Sequence, residues 1–157
     1  MNKTNDMVLG FIFNVHMTHV VLMLKNRPEW QAGLYNGVGG HIEPGETPTI
    51  AMVRECREET GLLTCESDWT ECLRLCRQGE HPFNVIVFRC ICAADDMRRE
   101  VNTIEDQPVR VRDVQLLRVS GWRGCISNIP WMVELMIDCQ PGVCGNYSVS
   151  GTIGHRE

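Results

Sequence analysis

One run of 23 residues, Gly40 to Leu62, constrains this chain more than any other part of its sequence. It reads GHIEPGETPTIAMVRECREETGL, and its second half spaces Glu55, Glu58 and Glu59 three and four residues apart. On a helix this spacing directs all three carboxylates from one face, where like charges destabilise a bare helix. A divalent cation would neutralise them, and carboxylate oxygens suit magnesium or manganese. The run therefore predicts a helix that holds Mg²⁺ or Mn²⁺.

Composition and charge exclude several functional classes. The chain has 157 residues, 43% hydrophobic and 22% charged, as expected of one globular domain over residues 1–157. A net charge of −5 and a pI near 5.5 argue against broad binding to polymeric nucleic acid, which requires a basic surface. Apolar stretches such as Val20–Leu24 are too short to span a membrane, and the N-terminus lacks a signal peptide's apolar core. We expect a cytoplasmic protein without a membrane partner.

The nine cysteines form no Cys-x-x-Cys pair. The closest spacings are Cys90-x-Cys92 and Cys72-x-x-x-Cys76, and neither has a histidine pair at zinc-finger distance. Cys90 and Cys92 lie in an apolar run and would share one face of a strand. A buried free cysteine behaves as a small hydrophobe, so we interpret these residues as core thiols and not as a zinc or redox site.

The segments before the run predict strands and loops. Met7–Asn14 and Val20–Lys25 are apolar and β-rich, which predicts a hairpin or two neighbouring strands. Asn26–Gly33 contains proline and glycine and is predicted to be a loop. Tyr35–Gly40 has three glycines in four residues, so its backbone must turn sharply or approach another group closely.

The run itself carries start and stop signals for a helix. Thr47 is a good N-cap, and Pro48 suits the first helical position. Gly61 is a natural residue to follow the helix, so the predicted end lies near Thr60. The predicted sheet-facing stripe consists of Val53, Cys56 and Thr60, with the carboxylates on a different face.

The remainder of the chain alternates strands with a helix. The predicted strands are Glu71–Cys76, Phe83–Cys92 and one within Val109–Val119. Asp95–Asp106 is charged and is predicted to be a loop, and the apolar residues of Ile129–Cys139 have the spacing of a helix. The Gly/Ser-rich tail Pro141–Glu157 is expected to be partly loose. This order predicts an α/β sandwich with a mixed sheet between helices.

The run resembles the Nudix box, GX5EX7REUXEEXGU, at every defined position. The seven fixed positions are Gly40, Glu46, Arg54, Glu55, Glu58, Glu59 and Gly61, and the hydrophobic positions are Cys56 and Leu62. Chance would match the fixed positions at roughly one site in 10⁸ to 10⁹. The resemblance covers about residues 5–140, leaves 141–157 as a tail, and implies the Nudix α/β/α sandwich. The Asn-Gly-x-Gly-Gly approach to the box is similar to that of MutT-type enzymes, which include sanitisers of oxidised purine nucleotides.

The resemblance also implies a reaction and its residues. Nudix enzymes hydrolyse a nucleoside diphosphate linked to another group, with a divalent cation offsetting the charge of the pyrophosphate. It assigns the catalytic residues as Glu55, Glu58, Arg54 and Glu46, and the metal ligands as Gly40, Glu55, Glu58 and Glu59. Arg54 would fix a carboxylate or the loop while Glu46 braces the turn. The competing interpretation is a solvated helix face with an Arg54–Glu58 pair, which the complete spacing makes improbable.

Candidates on the substrate side are Asn36, Gly39, His41 and Glu105. His41 stands where many relatives carry lysine. Glu105 lies in a segment where relatives often place a further acid, with Gln107 where glutamate is usual; a solvated loop charge is the alternative. Asn36 suits either a contact to a purine edge or the satisfaction of its own turn.

Other side chains have a functional and an ordinary interpretation. The aromatic residues Trp30, Tyr35 and Trp122 suit either stacking on a base or packing in the core or rim. His81 and Arg27 suit either a phosphate contact or an ordinary surface position.

Four functions agree with the sequence to different degrees. The first is Mg²⁺-dependent hydrolysis of a (deoxy)nucleoside triphosphate, oxidised purines included, to monophosphate and pyrophosphate. The second is hydrolysis of ADP-ribose or a nucleotide sugar. The third is a nucleotide-binding or regulatory module without turnover, which predicts lost box glutamates that this chain retains. Isoprenoid diphosphate isomerisation is a distant fourth. Monomers and homodimers both occur among Nudix proteins.

Overall fold

A computed structural model describes residues 5–77, 82–93, 97, 101–119, 123–140 and 145–148. These residues contain strands β1 (Asn5–Asn14), β2 (His19–Leu24), β3 (Tyr35–Asn36), β4 (Trp69–Arg77), β5 (Phe83–Cys92), β6 (Val109–Asp113) and β7 (Gly145–Ser148). The α-helices are α1 (Pro48–Thr60), α2 (Val114–Arg118) and α3 (Ile129–Asp138). The predicted alternation of strands, helix, strands and helix is confirmed.

The strands form one mixed sheet in the order β3-β2-β1-β5-β4-β7, with β6 also paired to β2. The central pair, β1 and β5, is parallel along its whole length, from Asn5 opposite Phe83 to Asn14 opposite Cys92. The pair β4 and β7 is also parallel, whereas β2 is antiparallel to β1, β3 and β6. Both central strands are apolar on two faces, because helices cover the sheet on both sides.

The core has one layer on each side of the sheet. Alternation along β1 sends Ile12 toward α1, into a cluster with Met52 and Cys56, and sends Phe11 and Phe13 to the opposite face. That second layer packs against α2 and α3. The arrangement confirms the predicted sandwich, and it brings Glu55 and Glu59 of α1 next to the glycine-rich approach.

The ends of α1 follow the local sequence signals. The Ile50 N–H donates to the Thr47 hydroxyl at 3.2 Å, Pro48 begins the helix, and Gly61 follows it with a left-handed φ of 71°. The Gly61 N–H donates to the Arg57 carbonyl. The predicted bounds of this helix are therefore confirmed.

The predicted division of α1 into an apolar face and a carboxylate face is wrong for Glu59. Only 4% of Glu59 is exposed, and it is buried together with Cys56 and Thr60. At 3.6 residues per turn, Glu58 and Glu59 lie about 100° apart with Glu55 between them. Glu58 consequently points to solvent while Glu59 points toward the sheet.

Two other segments contain more structure than the sequence predicted. The strand predicted within Val109–Val119 is confirmed as β6, and it is followed by α2, which begins where the Asp113 side chain accepts a hydrogen bond from Gln115 N–H. Residues 145–148 of the tail form β7 on β4; the remainder of 141–157 lies outside the described residues.

The described cysteines are all free thiols. Cys56, Cys90 and Cys92 are buried in the layer beneath α1, which confirms their interpretation as core residues. Burial raises the pKa of the Cys56 thiol to about 11 and that of Cys90 to about 12, so both stay protonated. In the described part of the chain, no helix has the length and apolar character to cross a membrane.

Candidate active site

A glycine pair brings the chain against β1 immediately before the turn into α1. The Val8 N–H of β1 donates to the Gly40 carbonyl at 2.9 Å. Gly39 has a φ of +151°, and a Cβ on it would lie 2.1 Å from the Val8 carbonyl oxygen. Only glycine permits this approach. One lone pair of the Gly40 carbonyl remains for another partner, since a carbonyl oxygen can accept two hydrogen bonds.

The Glu55 carboxylate occupies the space that the missing side chain of Gly40 leaves. A Cβ on Gly40 would lie 2.4 Å from Glu55 Oε1. The Glu55 side chain is only 13% exposed, and this burial raises its pKa despite the neighbouring Arg54. The backbone and this carboxylate therefore meet at the middle of α1.

Arg54 joins four groups of the box in one network. Its Nε and Nη2 donate to the two oxygens of Glu46, at 2.7 and 3.0 Å, as a bidentate pair. Its Nη1 donates to Glu55 at 2.8 Å and to Glu58 at 3.0 Å. Its Nη2 also donates to the His41 carbonyl at 3.0 Å. The helix-surface pair Arg54–Glu58 exists, but as one contact of a larger network.

Glu46 connects this network to the turn before α1. Its Oε2 accepts a hydrogen bond from the Glu43 N–H at 2.9 Å. The Arg54 guanidinium holds the pKa of Glu46 at about 2, with a further contribution from the Glu43 N–H. Glu46 is therefore ionised throughout the neutral range and fixes Arg54 beside the other carboxylates.

Glu59 lies on the buried side of the same site. Its Oε2 accepts a hydrogen bond from the Gly39 N–H at 2.8 Å. Burial raises the pKa of Glu59 to about 8; the Gly39 N–H and the charge of Lys25 oppose this rise, and the charges of Glu55 and Glu105 add to it. The site therefore has an excess of buried carboxylate over positive charge.

Two residues of distant segments complete this electrostatic environment. Glu105 is exposed, and its charge raises the pKa values of both Glu55 and Glu59. Lys25, directly after β2, is a cation whose charge lowers the pKa of Glu59, and the sequence analysis did not propose it. Its only sequence signal was its position at the end of a predicted strand, so the packed structure was needed to find it.

Asn36 and His41 are near the box, but their side chains have other surroundings. The Asn36 side chain accepts from the Gly37 N–H at 2.8 Å and donates to Gln31 at 3.4 Å. It thus satisfies its own turn while staying partly exposed. His41 presents its carbonyl to Arg54, and the residue is exposed.

The candidate aromatic and basic residues separate into distinct environments. The Arg112 guanidinium lies 4.7 Å from the centroid of the Tyr35 ring and also donates a hydrogen bond to the Tyr35 hydroxyl. One face of this ring is therefore already stacked on Arg112. Trp30 is 68% exposed and lines a groove of about 520 Å³ with Leu34 and Arg123. Arg27 forms an ion pair with Asp106. Trp122 and His81 lie outside the described residues.

The residues around Gly40 fit a divalent cation in chemistry. Glu55 and Glu59 are carboxylates whose ionisation burial opposes, and Glu55 lies directly against the backbone of Gly40. Among the described residues, no three histidine, cysteine, aspartate or glutamate side chains already form a metal-binding cluster. Arg54 engages Glu55 and Glu58 instead. Coordination by this set therefore requires those carboxylates to turn from Arg54 toward the cation.

The sandwich, the glycine approach and the carboxylate helix together define a pyrophosphohydrolase of the Nudix type. The family model of the NUDIX domain matches residues 3–119. This is well over half of the chain, which therefore belongs to the Nudix family, whose members generally use divalent metal ions. No match was found among curated proteins.

Solved structures share this fold at low sequence identity. A MutT structure from work on Aliivibrio salmonicida and Vibrio cholerae has a TM-score of 0.65 and 22% identity, and the match covers 87% of this chain and 99% of that one. A Bacillus halodurans MutT protein has a TM-score of 0.67 and 14% identity, with 92% and 89% covered. The NUDIX domain of Shewanella oneidensis NrtR, solved with ADP ribose, has a TM-score of 0.66 and 12% identity, and the match covers 88% of this chain and 89% of that one. At these identities the similarity shows the fold alone.

Proposed function

We propose that this protein is a Mg²⁺- or Mn²⁺-dependent pyrophosphohydrolase that converts a (deoxy)nucleoside triphosphate, oxidised purines included, to the monophosphate and pyrophosphate. The observation that carries this proposal is the Arg54 network, which gathers Glu46, Glu55 and Glu58 beside the glycine pair and the buried Glu59. A solvated helix face would not bury Glu59 at 4% exposure or fit Glu55 against Gly40.

In this proposal Glu55, Glu58, Glu59 and the Gly40 carbonyl hold the cation. When bound, the cation would offset the charge of the pyrophosphate and polarise its phosphoryl oxygens. Arg54 would keep its bidentate pair with Glu46 and release Glu55 and Glu58. That exchange is favourable because a divalent charge compensates buried carboxylates better than one shared guanidinium does.

The chain's own residues would then move one proton. Water attacks the α- or β-phosphorus of the triphosphate, the bridging P–O bond to that phosphorus breaks to give the monophosphate and pyrophosphate, and a carboxylate accepts a proton of the water. A positioned general base contributes roughly 10²- to 10⁴-fold to such a step. The candidate acceptors are Glu55, Glu58 and the loop acid Glu105. The first two accept hydrogen bonds from Arg54, and the charge of Glu105 contributes to the raised pKa of Glu55.

The groove beside Trp30 supports a nucleotide as the substrate. Its walls combine the exposed Trp30 ring and Leu34 with the cation of Arg123, and Asn36 is connected to the same loop through Gln31. An aromatic face with a nearby cation suits a planar base that carries phosphates. The proposal also assigns Gly39 and His41, the neighbours of Gly40 in sequence, to the substrate side of the site.

ADP-ribose is the second candidate substrate, because the NrtR NUDIX domain solved with ADP ribose has the same fold. ADP-ribose also carries a diphosphate, so the same carboxylate site would serve. A binding module without turnover is the remaining alternative, and it predicts nucleotide affinity without product formation.

A panel of nucleotides distinguishes these outcomes. Purified protein is incubated with Mg²⁺ or Mn²⁺ and standard dNTPs, oxidised dNTPs, ADP-ribose or dinucleoside polyphosphates, and products are identified by chromatography. We expect monophosphate and pyrophosphate from a triphosphate, and a loss of at least about 100-fold in kcat for Glu58→Gln. Glu43→Gln is the matched control, since Glu43 is exposed in the same loop and contacts Glu46 through its backbone N–H and carbonyl. Turnover of Glu58→Gln within a few-fold of wild type would rule out the metal-site assignment.

A further inference from the structure

We propose that Asn26, Arg27 and Asp106 are positioning residues that clamp the segment 102–107 so that Glu105 faces the carboxylates of α1. This inference rests on the proposed function, in which Glu105 belongs to the active site. It assigns to the loop after β2 a role beyond the connection of two strands.

One end of the segment is fixed to the C-terminal end of α1. The Asn102 N–H donates to the Thr60 carbonyl at 2.8 Å, one of the carbonyls that the helix itself leaves unpaired. The Ile104 side chain lies over Gly61, with its Cδ1 3.2 Å from the position of a Cβ on that glycine. A side chain at position 61 would therefore press against the segment.

The other end is fixed to the loop that follows β2. Arg27 Nη1 donates to Asp106 Oδ2 at 2.7 Å, and Asn26 Nδ2 donates to the same oxygen at 3.2 Å. The Asn26 N–H donates to Gln107 Oε1 at 3.3 Å, and Gln107 is only 4% exposed. The buried Gln107 side chain is thus part of the clamp.

Glu105 lies between these two attachments. Its side chain forms no hydrogen bond or ion pair with the other described residues, while Asp106 and Gln107 are both engaged. Glu105 directly follows Ile104, which lies over Gly61 at the end of α1, two residues from Glu59. In agreement with this placement, the charge of Glu105 contributes to the raised pKa values of Glu55 and Glu59. Nothing on Glu105 itself fixes its position, so the attachments on either side must do so.

The strength of the clamp sets the size of the expected effect. The Arg27–Asp106 pair is 62% and 58% exposed, and an ion pair of this exposure contributes little by itself. Asp106 also accepts from Asn26, so its removal loses two contacts at once. We expect about a three- to tenfold fall in kcat when the Asp106 acceptor is lost.

The test compares Asp106→Ala with Asp106→Asn, each in wild type and in the Glu105→Gln background. Both substitutions remove the same charge, but asparagine keeps an acceptor oxygen for Asn26 and Arg27. We expect Asp106→Ala to lower kcat about three- to tenfold, with KM for the triphosphate changed less than twofold, and Asp106→Asn to restore most of kcat. In the Glu105→Gln background, Asp106→Ala should have no further effect, because the clamp acts through Glu105.

A second readout does not depend on turnover. Titration with Mn²⁺ alone, followed by calorimetry, should show weaker binding for Glu105→Gln and for Asp106→Ala, without additivity in the double variant. Wild-type behaviour of Asp106→Ala in both assays, or a full additional loss in the Glu105→Gln background, would overturn the clamp. A Glu105→Gln variant with wild-type kcat and Mn²⁺ affinity would instead remove Glu105 from the proposed site. Unfolding midpoints of all variants report whether the fold is retained.

Discussion

Glu59 makes the stability of the metal-free protein depend on pH, in a direction opposite to that of an ordinary paired carboxylate. Burial raises its pKa from 4.5 to about 8. Between these values the folded protein holds a proton that the unfolded chain has released. Stability must therefore fall as pH rises from about 4.5 to about 8, and change little from this source above that.

The magnitude follows from the same two values. Each pKa unit corresponds to about 1.36 kcal/mol, so the full difference amounts to about 5 kcal/mol. This is an upper limit for the loss of unfolding free energy across the window. Glu46, whose pKa is lowered to about 2, affects stability only below about pH 4.5 and does not interfere.

The assay is urea unfolding in EDTA at intervals from pH 5 to 8.5, for wild type and Glu59→Gln. Glutamine cannot ionise, and its carbonyl oxygen can still accept from the Gly39 N–H. We expect the stability of wild type to fall relative to the variant by several kcal/mol toward pH 8.5. Added Mg²⁺ should restore wild type at high pH and have much less effect on the variant.

Parallel pH profiles for the two proteins would refute this reasoning. They would mean that Glu59 ionises in the folded state as it does in the unfolded chain. Burial of the Glu59 carboxylate would then give no reason to expect a cation at this site.

Two further predictions concern the glycine approach and the Arg54 network. Gly40→Ala should leave stability within about 1 kcal/mol but lower kcat at least tenfold, because the new Cβ displaces only the flexible Glu55 carboxylate. Gly39→Ala should instead lower the unfolding free energy by more than about 2 kcal/mol, since it combines a φ of +151° with a clash against the Val8 carbonyl. Equal losses of unfolding free energy in the two variants would contradict this contrast. Arg54→Lys should lower stability by about 1 to 2 kcal/mol and kcat by more than tenfold, because an ammonium cannot reproduce the bidentate geometry with Glu46. Thermal unfolding measures the change in stability and steady-state kinetics the change in kcat. An unchanged kcat would show that the Arg54 network is not needed for catalysis.

Local signals in the sequence were sufficient for the box helix. Thr47, Pro48 and Gly61 predicted its ends because capping depends on neighbouring residues only. The helical spacing placed Glu55, Glu58 and Glu59 near one another, but it could not show that Glu59 turns into the core. The direction of the helix relative to the sheet decides that, and this direction is a property of the packed structure.

The surroundings of the box were predicted only in part, for the same reason. Glu105 was a candidate from its segment, but Lys25, 80 positions earlier in sequence, was not, and both contribute to the pKa of Glu59. The attachment of Asp106 and Gln107 to Asn26 and Arg27 depends on contacts between distant segments, which the sequence does not show.

The sequence by itself determined the family, the box glutamates and the element order, because each depends on spacing along the chain or on local capping. Only the tertiary structure decided the rest: which glutamate is buried, which cation and loop acid surround it, and how residues 102–107 are fixed. These features depend on how β2, α1 and the segment after β5 meet in space. Burial and the distances between charges, which set the pKa values of Glu55 and Glu59, exist only once those elements are packed together.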